Sequence, residues 1–362
     1  MSKLITNNDI EALAIGAAVL GSGGGSNPAY EKLIAHSALE KNGPITLLDI
    51  SELKDNDLIM PVAFMGAPII AGERIASGKE TPALLDEFIK HYHKMPSVLM
   101  SAEVGGSNIF VPFTLASLNK IPIIDADFVG RAFPELQMNS ACVSGINQSV
   151  SWITDIFGNT VELNLSCPNT LERYARNITV AAGSRVAFSM YPMSGAQAKC
   201  GAVVAGSISR ALLIGNTILK ARETQADPIE QLAQKSHGII IGSGVITDID
   251  QTIKNGFLQG TVTIMGPQGE IKIFLQNEYL IIKVNNNIRV TTPDIIALLE
   301  KDTGTPLLSS TLSYGIRVVV IILPAPTVWQ TQKGLSLVGP RVFGYNCDYV
   351  NVTAPAGAVT SK

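Results

Sequence analysis

Short apolar runs and amphipathic stretches alternate in the first half of the chain. The runs at 57–65, 97–102 and 122–124 are bounded by polar residues or glycines and are too short for helices, so each predicts a buried strand. At 10–20 and 82–94, apolar residues recur every three or four positions, which predicts helices with one apolar face. This alternation indicates an α/β fold for the amino-terminal half.

The pattern changes near residue 237. Runs rich in Val, Ile and Thr, separated by turn signals, predict strands at 238–249, 256–265, 271–275, 279–284 and 316–323. Residues 294–300 are predicted to form a short helix between them. Because 362 residues are many for one core, two domains are expected. We therefore predict an α/β amino-terminal domain over residues 1–170 and a strand-rich carboxy-terminal domain over residues 171–362.

Composition narrows the class of protein. The chain is 46% hydrophobic and 16% charged, which is typical of a globular enzyme and not of a disordered chain. A net charge of −3 argues against a protein that binds nucleic acid, because such proteins usually carry an excess of basic residues. The four cysteines are far apart, which argues against a zinc ribbon or a disulfide scaffold. The amino terminus does not resemble a signal peptide, and Arg210 interrupts the most apolar stretch, so we expect a cytoplasmic protein without a membrane partner.

Charged residues cluster where the strand at 122–124 ends. Asp125 and Asp127 follow it directly, and Arg131 and Glu135 come shortly afterwards. Burying such charges is unfavourable unless they are paired or bind something, and ligands bind at this edge of open α/β sheets. The functional interpretation is a catalytic cluster. In the structural interpretation, Asp125 caps the next turn and Asp127 pairs with Arg131.

A second strand end repeats this design. The run at 97–102 is followed by Glu103, and then by Gly105 and Asn108. If the two strand ends are adjacent, Glu103 lies near Asp127 and the carboxyl groups can serve in acid–base catalysis or hold a cation. The alternative is that Glu103 only pairs with a basic neighbour.

A glycine-rich loop at 21–25 lies between two predicted helices, and Asn27 is a good N-cap for the second. The backbone N–H groups of Gly23, Gly24 and Gly25, next to the positive end of a helix, can bind a small carboxylate. A helix precedes the loop and the lysine of a P-loop is absent, so a nucleotide-binding fingerprint is not favoured. The alternative is a flexible turn between helices.

Four segments, in the same order, resemble the S-methyl thiohydantoin desulfurase family: GSGGGSNP at 21–28, EVGGSN at 103–108, DADFVGRAFPELQM at 125–138 and GPRVFG at 339–344. The resemblance extends from about residue 8 to residue 349. It implies a two-domain cytoplasmic enzyme that removes sulfur from a small thiohydantoin-type ring. Such enzymes are often encoded beside hydantoin-cleaving or oxoproline-cleaving enzymes.

The chain departs from that family in two places. Phe128 and Val129 stand where the family more often has Gly-Met. The segment 242–244 is Gly-Ser-Gly where relatives usually have a lysine, followed by Asp-x-x-Arg. Asp248 can be matched to that aspartate, but the basic residues are missing. If those basic residues contact the substrate, the substrate of this chain differs.

The implied reaction needs an acid and a base. The ring carbon that bears sulfur is amidine-like, so a base must activate water, an acid must protonate the ring nitrogen, and a thiolate leaves from a tetrahedral intermediate. Two carboxyl groups of different pKa suit this reaction. The predicted catalytic residues are Asp125, Asp127, Glu103 and Arg131, with Arg131 neutralising developing charge. The predicted substrate-binding residues are Gly23, Gly24, Gly25, Asn27, Gly105, Asn108, Glu135 and Arg341.

We expect the active site to lie between the two domains, because pockets prefer domain interfaces. Trp329, Phe343 and Tyr345 flank the segment that contains Arg341, and they can cover a flat ring. The alternative for Trp329 and Phe343 is ordinary core packing.

Other mechanisms and functions stay open. A cysteine nucleophile would be Cys142, but no histidine stands near it in sequence, which favours a buried inert thiol. No cofactor is predicted, and a divalent metal is left open because carboxylates can bind one. The alternative functions are a ring-opening, hydantoinase-like amidohydrolase and a non-catalytic partner of a hydantoinase-type enzyme. We also expect a homo-oligomer.

Overall fold

The computed structural model of the protein describes residues 2–146, 150–254 and 256–351. The last residues of the predicted carboxy-terminal domain, 352–362, therefore lie outside the described residues. Two large sheets organise the described part, one mixed and one antiparallel. This arrangement confirms the predicted fold class, an α/β first part and a strand-rich carboxy-terminal part.

The first sheet is built from strands that come before residue 200. The strands of this part of the chain are β1 (Lys3–Ile5), β2 (Ile45–Leu48), β3 (Leu58–Gly66), β4 (Val98–Ser101), β5 (Ile123–Ile124), β6 (Ala126–Asp127), β7 (Ser151–Thr154), β8 (Thr160–Leu163), β9 (Arg185–Met190), β10 (Met193–Ser194) and β11 (Val204–Ala205). The order in the sheet is β1-β2-β5-β4-β3-β9-β7-β8, with β10 beside β3, and β6 pairs separately with β11. Strands β2, β5, β4 and β3 are parallel. The carboxyl ends of β4 and β5 are therefore adjacent, which is the condition under which the sequence places Glu103 near Asp127.

The chain also forms helices, some of which pack on the first sheet and some on the second. They are α1 (Ile10–Leu20), α2 (Ala29–Asn42), α3 (Pro68–Glu73), α4 (Glu80–Tyr92), α5 (Val111–Asn119), α6 (Ser140–Ser144), α7 (Pro168–Ala181), α8 (Gly195–Gln197), α9 (Ser207–Glu223), α10 (Pro228–Ser236) and α11 (Gln332–Val338). Short 3₁₀ turns occur at Asn7–Asp9, Ile50–Glu52, Gly106–Phe110, Ser309–Thr311, Thr327–Gln330 and Pro340–Phe343, and a π-helical turn at Ala198–Ala202. Among the described residues, no helix is long and apolar enough to cross a membrane.

Helices α1 and α9 cross at a very short distance, which joins the two halves of the chain. A Cβ on Gly16 would lie 1.9 Å from the carbonyl oxygen of Ala211, and a Cβ on Gly215 would lie 1.8 Å from that of Ala12. Only glycine at both positions allows the two backbones to pack this closely.

The second sheet is antiparallel throughout. Its strands are β12 (Ile239–Lys254), β13 (Phe257–Gly266), β14 (Gly269–Gln276), β15 (Glu278–Val284), β16 (Asn287–Thr291), β17 (Ile295–Glu300), β18 (Pro306–Leu307) and β19 (Arg317–Leu323), in the order β16-β15-β14-β13-β12-β19-β17-β18. The helix predicted at 294–300 is wrong, because this segment is β17, paired along its length with β19. Its continuous apolar run suits a strand that is buried on both faces.

The two sheets share a hydrophobic core. Leu13 of α1 and Leu212 of α9 belong to the same buried cluster as Ile295 of β17 and Ile321 of β19. The first sheet takes β9 and β10 from beyond residue 170, and residue 170 itself lies inside α7. The two halves of the chain are therefore packed into one continuous structure, and the division at residue 170 stays a prediction.

Candidate active site

A cavity of about 120 Å³ is lined by residues from both halves of the chain. Glu103, Asn108 and Phe133 come from the amino-terminal half, and Arg176, Asn277 and Glu278 come from the carboxy-terminal half. Acidic, basic and amide side chains thus meet in a space that neither half encloses alone, and this is the candidate active site.

Glu103 reaches the cavity from the turn that follows β4. The hydroxyl of Ser101 donates to the carbonyl of Glu103 (2.7 Å) and fixes this turn. The Glu103 carboxyl accepts hydrogen bonds from the backbone N–H of Phe133 (3.0 Å) and from the Asn108 amide (3.2 Å). Burial, together with the charge of Glu278, outweighs these bonds and raises the pKa of Glu103 to about 8. The Glu103 carboxyl can therefore hold a proton near neutral pH.

Glu278 enters the same cavity from the first position of β15. Asn277, which has a φ of 57°, turns the chain directly before it. Glu278 is only 3% exposed, and its Oε2 has no hydrogen-bond partner among the described residues. Burial raises the pKa of Glu278 to about 8, against the opposing charges of Arg131 and Arg176. An unpartnered carboxyl oxygen at this depth is available to a ligand.

The two carboxyl groups are close enough for the charge of Glu278 to raise the pKa of Glu103. Like charges in one buried site resist joint ionisation, so the pair holds at least one proton around neutral pH. One carboxyl can then act as an acid while the other acts as a base.

Arg131 supplies a buried positive charge beside this pair. Its Nη1 donates to the carbonyls of Asp294 (2.9 Å) and Pro293, and its guanidinium lies 4.5 Å from the ring centre of Phe133. Its Nη2 has no partner among the described residues. Burial lowers the pKa of Arg131 to about 10, while nearby carboxyl groups, Glu278 first, oppose this change. At neutral pH Arg131 is a cation that favours the ionised form of Glu278.

The glycine-rich loop lies against the Glu278 carboxyl. A Cβ on Gly24 would lie 2.1 Å from Oε1 of Glu278, so glycine at this position leaves the space that the carboxyl occupies. The carboxyl group beside the loop is thus one of the protein's own side chains, and the binding of a substrate carboxylate by this loop stays a prediction. We assign Gly24 a role in positioning Glu278.

The neighbouring glycines are packed just as tightly. A Cβ on Gly25 would lie 2.3 Å from the carbonyl oxygen of Gly105, and a Cβ on Gly23 would lie 2.4 Å from the ring of Tyr279. Gly25 lines the cavity, whereas Gly23 and Gly105 do not. Gly105 packs against Gly25, and Gly23 packs against Tyr279, so the substrate-binding roles of Gly23 and Gly105 stay predictions.

Two further predicted binding residues, Asn108 and Glu135, line the cavity. The Asn108 side chain accepts a hydrogen bond from the N–H of Phe64 (2.9 Å) and donates to Glu103, which fixes the position of both side chains. The Glu135 carboxyl accepts from the Gln137 amide.

Asn27 and Arg341, by contrast, lie away from the cavity. Asn27 is exposed, and its side chain accepts a hydrogen bond from the N–H of Ala29 (3.0 Å) at the start of α2. The exposed Arg341 forms an ion pair with Asp348 (2.7 Å) and a hydrogen bond with Asn346 (3.2 Å). Neither residue lines the cavity, and the substrate contacts predicted for both stay predictions.

Asp125 and Asp127 do not line the cavity either. Oδ1 of Asp125 accepts from the N–H of Ser209 (2.9 Å) in the first turn of α9. Asp127 is fully buried and accepts from the N–H groups of Val104 and Gly130 (both 2.8 Å). Burial outweighs these bonds and raises the pKa of Asp127 to about 7. Both aspartates hold backbone in place, and Asp127 fixes the residue next to Glu103. These contacts suit positioning roles, and the catalytic roles of Asp125 and Asp127 stay predictions.

Sequence reasoning missed Glu278 and the arginines that line the cavity. One signal could have found Glu278: an acidic residue that opens a buried apolar strand directly after a turn at Asn277. Arg176 lies on α7, donates to the carbonyl of Pro134 (3.0 Å) and forms an ion pair with Glu172. No feature of the sequence around Arg176 indicates that it lines the cavity.

Cys142 lies beside the cavity without lining it. Its sulfur contacts the Asn139 amide (3.3 Å) and the hydroxyl of Tyr191 (3.0 Å). Burial raises the pKa of the Cys142 thiol, which disfavours the nucleophilic thiolate. These contacts fit the buried, inert thiol better than a nucleophile.

Trp329 packs against two residues that line the cavity, Val129 and Phe133. It is fully buried, its indole N–H donates to the carbonyl of Val129 (2.7 Å), and its ring packs edge-on against Phe133 at 5.2 Å. Its role is core packing under the cavity wall. Phe343 and Tyr345 do not line the cavity.

A divalent metal, which the sequence left open, stays a prediction. Glu103 and Glu278 could supply two oxygen ligands, and within the described ranges no group of three His, Cys, Asp or Glu side chains is arranged to hold an ion.

Comparisons with known proteins agree with this architecture. Residues 8–164 match the family model described as "S-Me-THD-like, N-terminal domain", and residues 166–352 match the model for the "S-Me-THD-like, C-terminal domain". The fold is similar to an X-ray crystal structure of a protein from Chromobacterium violaceum, determined by the Northeast Structural Genomics Consortium. The TM-score is 0.80 at 22% identity, over 97% of this chain and 100% of the other. No curated protein sequence matches the chain. The two family models together span nearly the whole chain, which therefore belongs to the S-Me-THD-like family, as its resemblance to the S-methyl thiohydantoin desulfurases implied.

Proposed function

We propose that the protein hydrolyses an S-methyl thiohydantoin-type ring and releases methanethiol. The observation that supports this most directly is the pair formed by Glu103 and Glu278 in one cavity, each with a pKa raised to about 8. Family membership supports a thiohydantoin-type substrate, and the pair supplies the acid and the base that its hydrolysis needs.

Glu278 is the base in this proposal. The charge of Arg131 favours its ionised form, and Oε2 is left without a partner, whereas Oε1 packs against Gly24. Oε2 can therefore accept a proton from an attacking water. Glu103 is the acid, because the charge of Glu278 raises its pKa further and keeps it protonated.

The reaction balances without an oxidant or a reductant. The water oxygen bonds to the ring carbon that bears sulfur as its proton passes to Glu278, and Glu103 gives its proton to the adjacent ring nitrogen. The resulting tetrahedral carbon bears a hydroxyl and a methylthio group. Methanethiolate leaves as the hydroxyl oxygen forms a carbonyl, and the released protons neutralise the thiolate and restore Glu103. One water is consumed, and one methanethiol and one hydantoin are formed.

The test is to incubate the purified full chain with an S-methyl thiohydantoin. Free thiol is measured with a chromogenic thiol reagent and the ring product by mass spectrometry, and the Glu278→Gln variant is the control. We expect thiol and intact hydantoin in equal amounts. An N-carbamoyl acid without thiol would instead show a ring-opening amidohydrolase, and binding without turnover would show a non-catalytic partner of a hydantoinase.

A further inference from the structure

A second cavity, of about 100 Å³, adjoins the first. Both are lined by Ser26, Ala67, Gly256 and Asn277, so the two cavities lie side by side and share one wall. Asn277 directly precedes the proposed base, and Gly24, which packs against the Glu278 carboxyl, lines the second cavity. A group attached to a ring held by the carboxyl pair would therefore project into this space.

The lining of the second cavity is uncharged. Its side-chain walls are formed by Ile253, Leu258 and Leu308, and none of the described residues that line it carries a charge. Two of its polar side chains already have partners: the Asn277 side chain accepts from the N–H of Leu258 (2.9 Å), and the Ser309 hydroxyl donates to the carbonyl of Asn277. Such a space suits an apolar group and offers an ionic group no opposite charge.

The arginines of the first cavity do not alter this conclusion. Arg185 forms an ion pair with Glu31, and both side chains are 6% exposed. Arg176 forms an ion pair with Glu172. Both guanidinium charges are therefore compensated within the protein, and a carboxylate on the substrate would have to compete with these partners.

We propose that the second cavity is the specificity subsite for an uncharged, apolar substituent on the ring of the substrate. The proposal rests on the proposed function, and it names the substrate class: thiohydantoin rings with an aliphatic side chain at the ring carbon next to the carbonyl. Leu258 and Ile253 are the specificity-determining side chains.

The test compares three S-methyl thiohydantoins that carry hydrogen, isobutyl or carboxyethyl at that carbon. We expect kcat/KM for thiol release to be at least about tenfold higher for the isobutyl ring than for the unsubstituted ring, because burial of the four carbons favours binding. The carboxyethyl ring should be the poorest substrate. Equal values for the hydrogen and isobutyl rings, or a preference for the carboxyethyl ring, would overturn the proposal.

Substitutions in the wall of the second cavity test whether this cavity causes the preference for the isobutyl ring. Leu258→Asp should lower the isobutyl-to-hydrogen ratio of kcat/KM by about tenfold, because a charge then faces the alkyl group. Ile253→Asp should act in the same direction, and at 62% exposure it carries little risk to folding. Val245→Asp, which changes an exposed residue of the same strand outside both cavities, should leave the ratio unchanged. An unchanged ratio in both cavity variants would overturn the proposal.

The experiment also distinguishes a failure of the proposed desulfurase activity from a failure of the proposed subsite. If none of the three rings releases thiol, the subsite is tested by the shift in melting temperature that the three corresponding hydantoins produce. A larger shift with the isobutyl hydantoin than with the unsubstituted one supports the subsite even then. Equal shifts, or no shift with any ring, would overturn it.

Discussion

The carboxyl group of Glu278 lies against Gly24, so that a single methyl group on Gly24 would come within 2.1 Å of Oε1. Gly24 belongs to the loop between α1 and α2, and Glu278 opens a strand of the second sheet. The contact joins the two halves of the chain at the proposed base, and it explains why this loop needs a residue without a side chain.

Gly24→Ala should therefore displace the Glu278 carboxyl. We expect thiol release to fall by about 10- to 100-fold, with a loss of about 1–3 kcal/mol in the free energy of unfolding from overpacking. Gly72→Ala is a matched control, because a Cβ there meets no atom within 4 Å. In a Glu278→Ala background the Gly24 change should have little further effect on activity. Additive losses would show that Gly24 acts independently of Glu278.

The raised pKa values of Glu103 and Glu278 predict how stability depends on pH. Both carboxyls have pKa values of about 8 in the folded protein, and about 4.3 is usual for Glu in an unfolded chain. Between these values the folded state binds more protons, so the free energy of unfolding should fall as pH rises from about 5 to 8. Glu278→Gln should raise the melting temperature at pH 8.5 and change it less at pH 5.5. The same change at both pH values would contradict the raised pKa.

Two substitutions of Arg131 distinguish the effect of its charge on catalysis from the effect of its hydrogen bonds on stability. Arg131→Met removes the cation that favours ionised Glu278, so the acid limb of the pH–rate profile should move to higher pH. The variant should also lose about 3–5 kcal/mol of stability, because buried partners are left unpaired. Arg131→Lys keeps the charge, and its profile should stay near that of the wild type despite some loss of stability. Identical profiles for the two variants would contradict the electrostatic role.

Asp125 and Arg341 should prove dispensable for turnover. Asp125→Ala removes the acceptor for the N–H of Ser209, a change that typically destabilises a helix start by about 1 kcal/mol. Arg341→Ala breaks only an exposed ion pair, and such pairs contribute little to stability. We expect kcat and KM of both variants to stay within about threefold of the wild type. A hundredfold loss of kcat in either would return that residue to the catalytic set.

The local pattern was enough to predict one wall of the site. Glu103 and Arg131 follow predicted strands, and the adjacency of those strands brings both to the cavity region. The same reasoning could not tell which of these residues line the cavity and which, like Asp125 and Asp127, bind backbone N–H groups, because a strand end does not show what a carboxyl group faces.

The opposite wall depends on contacts between distant parts of the chain. Glu278 reaches the cavity because the second sheet packs on α1 and α9. Those two helices in turn approach each other through Gly16 and Gly215, and no local pattern reveals such a contact. The surroundings of Arg341 could not be predicted from the local pattern either. An arginine between breakers is conspicuous in sequence, but here its ion pair with Asp348 lies on the surface.

The most direct test of the account is kcat for thiol release by Glu278→Gln, compared with the wild type at pH 8. Because the proposed base comes from the carboxy-terminal half, we predict a loss of at least about 100-fold, the usual scale for removing a general base, in a variant that melts no lower than the wild type. A kcat within about threefold of the wild-type value would contradict the central claim that Glu103 and Glu278 form the catalytic pair.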